Sequence, residues 1–596
     1  MLNILYDAVS AFLNLVTSCY FKKITLVAKE NVPRDGPVII CGNHSNQFVD
    51  PMLLIAHCPR PLGFCMAASS FNKPVIGYFA KKINVIPVYR PEDEQIKGNG
   101  FVKFTSDTVV TGINTSFVSE VAKMKLGLHA ISIEGVSFLT QSVDSPTQIT
   151  IKYNKEQHDK LLAKHPHVKE YKYKLIPKMD NSKMYIEAYK RLKDNKAVCI
   201  FPEGTSHDRT NFIQLKAGVA LMALGAMADH DTKEIKILCA GLSYFKRDQF
   251  RSEVIVEFGT PFTIPKEWGE LFKTDKKQAI DLTLKEIELR MKAVTIQAPS
   301  LQELECMNLT REIYIPKNKT LPPAQVSELS KRISKAYDEI KDHKETKSLK
   351  RKIQRYRDEL ENVGLDDSEV KQMNYSYGYF VRKTFLSFVL FHVYLLMALP
   401  MIAMTAPFLW IVKKRAEKER IAAKAKNPNK IQALDVVSSV KITHFARFVP
   451  YIWIMWLGFF CPGVNWYLYK YTGFEVSKIV LGIIGSVIFP VLCVVTTRTV
   501  DRLFFYLETM KTRFLFFCYP KKVYGLKDNR TRLEGEVIKF VNNYLKDNKE
   551  LSSNRIIEPY GEAETLKGRS GYVSAEMKKE RDDKELQKFL EQNNLQ

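Results

Sequence analysis

Three stretches of this chain contain no Asp, Glu, Lys or Arg: 29 residues from Thr384 to Val412, 22 from Phe448 to Tyr469 and 19 from Ile479 to Thr497. A helix crosses the hydrocarbon core of a bilayer with about 20 apolar residues, so this part of the chain is expected to fold against lipid. The second and third stretches (448–497) predict two transmembrane helices joined by the short Lys470–Lys478 loop. Ten Lys or Arg residues lie between Lys413 and Arg447, and Arg498, Arg502, Lys511 and Arg513 follow the last stretch. Cytosolic flanks carry the excess of Lys and Arg, which places both outer flanks in the cytosol and the loop opposite. The first stretch, 384–412, has Pro400 and Pro407 inside it. The segments before and after it belong on the same side, so a re-entrant or interfacial hairpin is expected, with a tilted span as the alternative.

A formal net charge of +24 suits an anionic membrane surface or phosphorylated substrates. No nucleic-acid-binding signature accompanies it, so nucleic acid is not expected as a partner. The ten cysteines are scattered without a C-x-x-C pair, which points away from a zinc site and toward a reducing compartment. The N-terminus lacks a secretory pattern, because Asp7 and Asn14 interrupt its apolar run.

Residues 1–30 read as an amphipathic helix and a first strand, with Leu2, Leu5, Phe12 and Val16 on one broad face. A core-packing helix and an interfacial helix fit that face equally well. Over 31–265, short apolar runs such as Val38–Cys41 and Ala197–Phe201 alternate with helical stretches. That pattern predicts an α/β domain, a central sheet covered by helices on both faces. Between about 91 and 177 the texture changes to Thr, Ser, Val and Gly, which predicts a β-rich insertion. Residues 266–375 form a charged helical region. Within it, Leu329, Ile333, Tyr337 and Ile340, then Ile353, Tyr356 and Leu360, predict a helical hairpin turning at Glu345–Ser348. Residues 521–596 are polar, and little in them is expected to form a core.

Two polar segments carry the chemistry. Asn43-His44-Ser45-Asn46-Gln47-Phe48-Val49-Asp50-Pro51 follows an apolar strand and sets a histidine and a carboxylate about a turn. A histidine oriented by an aspartate takes a proton from an alcohol near neutral pH. Asp50-Pro51 also reads as a helix start. Phe201-Pro202-Glu203-Gly204-Thr205-Ser206-His207-Asp208-Arg209 runs from a strand through a glycine-containing loop toward a helix, with Lys216 beyond. Such a loop, with Arg209 and Lys216, suits a phosphate. No metal-ligand spacing appears among His44, Asp50, His207 and Asp208.

These segments, with Ile86-Pro87-Val88-Tyr89-Arg90 and Leu215-Lys216-Ala217-Gly218-Val219-Ala220, resemble the glycerolipid acyltransferase superfamily. In detail they resemble the fungal-type glycerol-3-phosphate/dihydroxyacetone-phosphate acyltransferases, over about residues 35–265 and more loosely into the membrane region. Two departures stand out. Five residues separate His44 from Asp50 where the superfamily has four, a spacing the fungal-type subgroup shares, and Thr205 replaces a glycine usual in that subgroup.

The resemblance implies transfer of an acyl group from acyl-CoA to the sn-1 hydroxyl of glycerol 3-phosphate or dihydroxyacetone phosphate, at the head of glycerolipid synthesis. His44 would be the general base and Asp50 its orienting partner. Arg90, Arg209 and Lys216 would hold the phosphate, with Glu203, Gly204, Thr205 and Ser206 as the other substrate-binding residues of the loop. Glu203 would orient an arginine or another acceptor oxygen, and His207 with Asp208 would support the loop. The thioester carries its own activation, so no cofactor is implied. A multi-pass protein of the endoplasmic reticulum membrane, with its catalytic domain facing the cytosol, is the implied setting. The alternatives are a lysophosphatidate acyltransferase and a non-catalytic scaffold that keeps the fold.

Overall fold

The structure, a computed structural model, describes residues 2–546 apart from 73, 84, 91–93, 125–126, 166–167, 169, 179, 230–233, 317–320, 373–376 and 428–429. Its centre is a mixed eight-stranded sheet. The strands run in the order Lys23–Val27, Glu253–Phe258, Lys236–Tyr244, Val38–Gly42, Ala197–Ile200, Leu62–Ala67 and Ile86–Val88, and Phe262–Thr263 pairs with the third. Along that path every neighbouring pair is parallel except Lys236–Tyr244 against Glu253–Phe258.

Alternating side chains serve opposite faces of a strand. Val38 and Ile40 join one core, with residues of the helices Leu2–Tyr20 and Val49–His57, while Ile39 and Cys41 join the other, with residues of Ser182–Lys193, Gly218–Asp229 and Lys276–Val294. A strand buried on both faces reads as an unbroken apolar run, which is why these were visible in the sequence. Because Ile200 sits opposite Cys41 in parallel register, the loops after Val38–Gly42 and Ala197–Ile200 leave the same edge side by side. Ile86–Val88 ends at that edge too, two strands further along. Open α/β sheets bind ligands at the carboxyl ends of their strands.

Between Ile96 and Pro177 a separate seven-stranded antiparallel sheet closes around its own core, including Val102, Val110, Phe117, Ile131 and Phe138. After the main sheet, Leu301–Tyr314, Pro323–Ile340, Lys344–Val363 and Asp367–Gln372 build a helical cluster. The chain turns at 341–343, so Glu345–Ser348 lies in the first turns of the following helix and not in the connection expected there.

The expectation that 521–596 holds little core is corrected over its first part. Pro520–Lys546 is a helix whose Val523, Leu526, Leu533 and Val537 are buried in that cluster. At the position on this face where an apolar residue would go, Arg530 is buried instead and pairs with Asp367, at 2.9 Å. The charge conceals the stripe. Residues 547–596 lie outside the described residues.

Tyr377–Lys426, Val437–Thr472 and Lys478–Cys518 are long helices, and all three are long and apolar enough to cross a membrane. The fold-back expected at 384–412 is absent: one helix of 50 residues runs through Pro400 and Pro407. At about 1.5 Å per residue it is about two and a half times as long as a bilayer core is thick.

The last two helices form an antiparallel pair, with Trp456 Nε1 donating to Gly485 O at 3.1 Å. The first crosses that pair. Its early part runs against the late part of Lys478–Cys518, where Tyr394 stacks on Tyr506 and Arg513 donates to Ser387. Its middle meets Phe448 and Phe489 through Met401 and Phe408, and its end packs Ala416 against Val437 and Val440. It therefore opposes both helices of a pair that already oppose each other, which requires a steep crossing near 401–408.

Candidate active site

Asn43 begins the site by prolonging the sheet. Its side-chain oxygen accepts from Leu242 N at 2.7 Å, and its amide donates to Leu242 O at 3.0 Å. The side chain thus stands in for the next strand residue and fixes where His44 leaves the edge. His44 Nδ1 then meets Asp50 Oδ2 at 2.9 Å, so the longer spacing still closes the pair. The closure works because Val49–His57 begins one residue early and carries Asp50 in its first turn, where the positive helix terminus favours a carboxylate.

Asp50 is fully buried and held from three sides. Besides His44 it accepts Asn46 N at 2.7 Å and the Tyr244 hydroxyl at 2.5 Å. Burial, and then the neighbouring Asp50 charge, push the Tyr244 phenol well above its ordinary range, so it stays a donor. Sequence reasoning missed Tyr244, which lies 194 residues from Asp50 in no motif.

With Nδ1 held by a carboxylate, the other imidazole nitrogen is left to accept a proton. The His44 ring stacks on Phe201 at 4.2 Å and 11°, and its side chain keeps 16% exposure, toward a cavity. Gly42 makes room for that stack, since a Cβ there would lie 2.7 Å from Phe201 Cε1.

Glu203 links the two polar segments. It is buried, accepts His44 N at 2.8 Å, and binds His207 Nε2 through its other oxygen. It braces the base from the neighbouring loop. Gly204, at φ 72°, takes a left-handed turn that brings its Cα against the Lys216 side chain.

The cavity holds about 550 Å³. His44 opens onto it, and Arg90, Gly204, Thr205, Ser206 and Lys216 line it, with Phe64, Met66, Met184 and Met222 forming apolar wall. Arg90 donates to Gly204 O at 3.2 Å. Arg209 is not brought there. It lines a separate pocket of about 100 Å³ with Arg247 and Arg311, and its backbone N–H donates to His207. The Cys65 thiol in the cavity wall is pushed up to about 12 by burial, so it is no nucleophile.

Asp208 reaches across to the connector between the first and second long helices, where its carboxylate accepts Ile431 N and Gln432 N at 2.7 Å and Leu434 N at 3.2 Å. Burial alone would raise its pKa, but these donors together hold it below the ordinary range. Asn427, Lys430 and Val436 from this connector line the cavity as well. The second helix adds Ser439, whose hydroxyl accepts Phe48 N at 2.8 Å within the His44 turn. Nothing local in the sequence ties the connector to the site; its basic residues read only as a membrane flank.

Comparison with known proteins gives a consistent result. Residues 306–545 match the family described as glycerol-3-phosphate acyltransferase 2 C-terminal domain, and 23–113 match the family described as acyltransferase. An uncharacterized acyltransferase of Schizosaccharomyces pombe is 29% identical over 554 residues, spanning 90% of this chain and 81% of that protein. Glycerol-3-phosphate O-acyltransferase 1 of Saccharomyces cerevisiae is 28% identical over 560 residues, spanning 91% and 71%. Glycerol-3-phosphate O-acyltransferase 2 of the same yeast is 27% identical over 479 residues, spanning 76% and 64%. Among solved structures, the 1-acyl-sn-glycerophosphate acyltransferase PlsC from Thermotoga maritima overlaps with a TM-score of 0.25 at 11% identity, over 48% of this chain and 78% of that one, and no argument rests on it.

Proposed function

The chain belongs to the fungal-type glycerol-3-phosphate acyltransferases, and from that premise we propose that it moves an acyl group from acyl-CoA to the sn-1 hydroxyl of glycerol 3-phosphate, accepting dihydroxyacetone phosphate as well. The observation that carries this reading is the His44–Asp50–Tyr244 chain opening on a cavity with a cationic side and an apolar side.

In this reading Arg90 and Lys216 hold the acceptor phosphate, Arg in a paired geometry and Lys as a point charge. His44 takes the proton of the acceptor hydroxyl as its oxygen attacks the thioester carbonyl. Asp50, which faces three hydrogen-bond partners, stabilises the imidazolium that forms. The C–O ester bond forms, the C–S bond breaks, and the proton passes to the departing coenzyme A sulfur. The balance closes without a metal, a cofactor or an acyl-enzyme. The enzyme sits in the endoplasmic reticulum membrane, with its site on the cytosolic side where acyl-CoA is found.

The test offers the purified protein one acyl-CoA with glycerol 3-phosphate, dihydroxyacetone phosphate or lysophosphatidate. Consumption of glycerol 3-phosphate, lost in His44→Ala at an unchanged melting temperature, is the expected result. Consumption of lysophosphatidate alone would overturn the acceptor assignment, and turnover retained by His44→Ala would remove the base.

A further inference from the structure

We propose that Lys430, from the connector between the first two long helices, is a direct ligand of the acceptor phosphate, and that the connector completes the acceptor site. The proposal deepens the functional reading above and rests on it for the identity of the acceptor.

The charge inventory of the cavity comes first. Its described lining residues include Arg90, Lys216 and Lys430 and no Asp or Glu, so the space attracts an anion. Arg209, the one cation within the Phe201–Arg209 segment, lies on a different pocket. That segment therefore presents the hydroxyls of Thr205 and Ser206 to the cavity without a positive charge of its own, and Lys216, further along the loop, stands against Gly204. The connector supplies that charge: Lys430 Nζ lies 3.4 Å from Ser206 Oγ, and Asn427 Nδ2 lies 3.4 Å from Thr205 Oγ1.

Lys430 is also built into place. Its side chain is 7% exposed and ion-paired with the fully buried Asp435. An ammonium has three N–H donors. Asp435 and Ser206 engage two, which leaves one for a ligand oxygen. Asp208 fixes the backbone on which Lys430 stands through the N–H groups of Ile431, Gln432 and Leu434. The His207-Asp208 dipeptide then has a divided purpose, with His207 bracing Glu203 and Asp208 acting as a positioning residue for Lys430.

The experiment compares Lys430→Met and Lys430→Arg with the native full-length protein. Because Lys430→Met strands the buried Asp435 carboxylate, the double change Lys430→Met with Asp435→Leu removes both charges and keeps the test independent of folding. The expected result is a rise in the KM for glycerol 3-phosphate of roughly ten- to a hundredfold. The KM for acyl-CoA and kcat should stay within about threefold, Lys430→Arg should restore most of the loss, and Asp208→Asn should raise the acceptor KM alone. Equal shifts in both KM values, or an unchanged acceptor KM in the double variant, would overturn the proposal. Binding of inorganic phosphate, followed by titration calorimetry in a His44→Ala background, separates this claim from the functional one. If the native protein fails to use glycerol 3-phosphate, the functional reading falls. Lys430 stands if its loss weakens phosphate binding tenfold or more, and falls if it does not.

Discussion

At the scale of single residues, the site shows which parts of an active centre a sequence displays. His44 and Asp50 are six positions apart and could be paired by eye, and the stacking partner Phe201 lay inside a motif already singled out. Tyr244, Asn427 and Lys430 come from elements that no local pattern connects to the base, so only the sheet order and the path of the connector reveal them. Arg209 was misplaced for the opposite reason. It sits in the right loop, but beyond Ser206 the loop turns away, and His207 to Phe212 include the residues that line the separate pocket. Gly42 offers a sharp test of the stack. A Cβ there would meet the Phe201 ring at 2.7 Å, and a ring wedged between His44 and Phe64 has little room to yield. Gly42→Ala is expected to lower kcat at least tenfold while costing about 1–3 kcal/mol of stability. Measuring kcat beside the melting temperature checks it, and full activity would mean that the ring contact is not needed to orient the imidazole.

At the scale of elements, the strands of the main sheet and the charge-free helices were legible because each is buried or lipid-facing on nearly every side. The Pro520–Lys546 helix was not. It buries one narrow stripe, interrupted by Arg530, and its other faces carry charge. The same holds for the hairpin turn at 341–343, where polar residues on both sides hide the boundary. The packing of Val537 makes the helix testable. It is completely buried against helices that begin more than 170 residues earlier. Val537→Asp places an unpaired carboxylate there and is expected to destabilise the helical cluster by about 3 kcal/mol or more. A fall in melting temperature together with new protease cuts between 301 and 372 is the predicted outcome, and an unaltered cutting pattern would show that the helix is dispensable to the cluster.

At the scale of the whole molecule, the steep crossing decides how the chain meets the bilayer. The early part of the first long helix, with Phe385, Leu396 and Met397 exposed, runs beside the part of the third that carries Arg498, Asp501, Glu508 and Lys511. Asp501 is itself paired with Arg251 of the α/β domain at 2.5 Å. Segments paired in this way share a depth. The 384–400 stretch is therefore predicted to lie along the membrane surface and the 448–497 pair to span it. On that topology the sequons at Asn43, Asn114, Asn308, Asn318, Asn374 and Asn529 are expected to carry no glycan. Protease added outside sealed microsomes is expected to cut both the 413–447 stretch and the chain after residue 498, whereas protection of the latter alone would make the first long helix a true span.

The crossing helix also sets a schedule for synthesis. Asp208 leaves the ribosome long before the connector that it anchors, and at roughly 5–20 residues per second the interval is on the order of ten to forty seconds. During that time the α/β domain can fold, but its cavity lacks the wall that Asn427 and Lys430 provide. That wall is made only after the first long helix, which is long and apolar enough to enter lipid. With Lys430 in the role proposed above, a newly made chain still adrift in the cytosol is expected to hold a base and no finished place for its substrate, and to begin acyl transfer only where its product can be received.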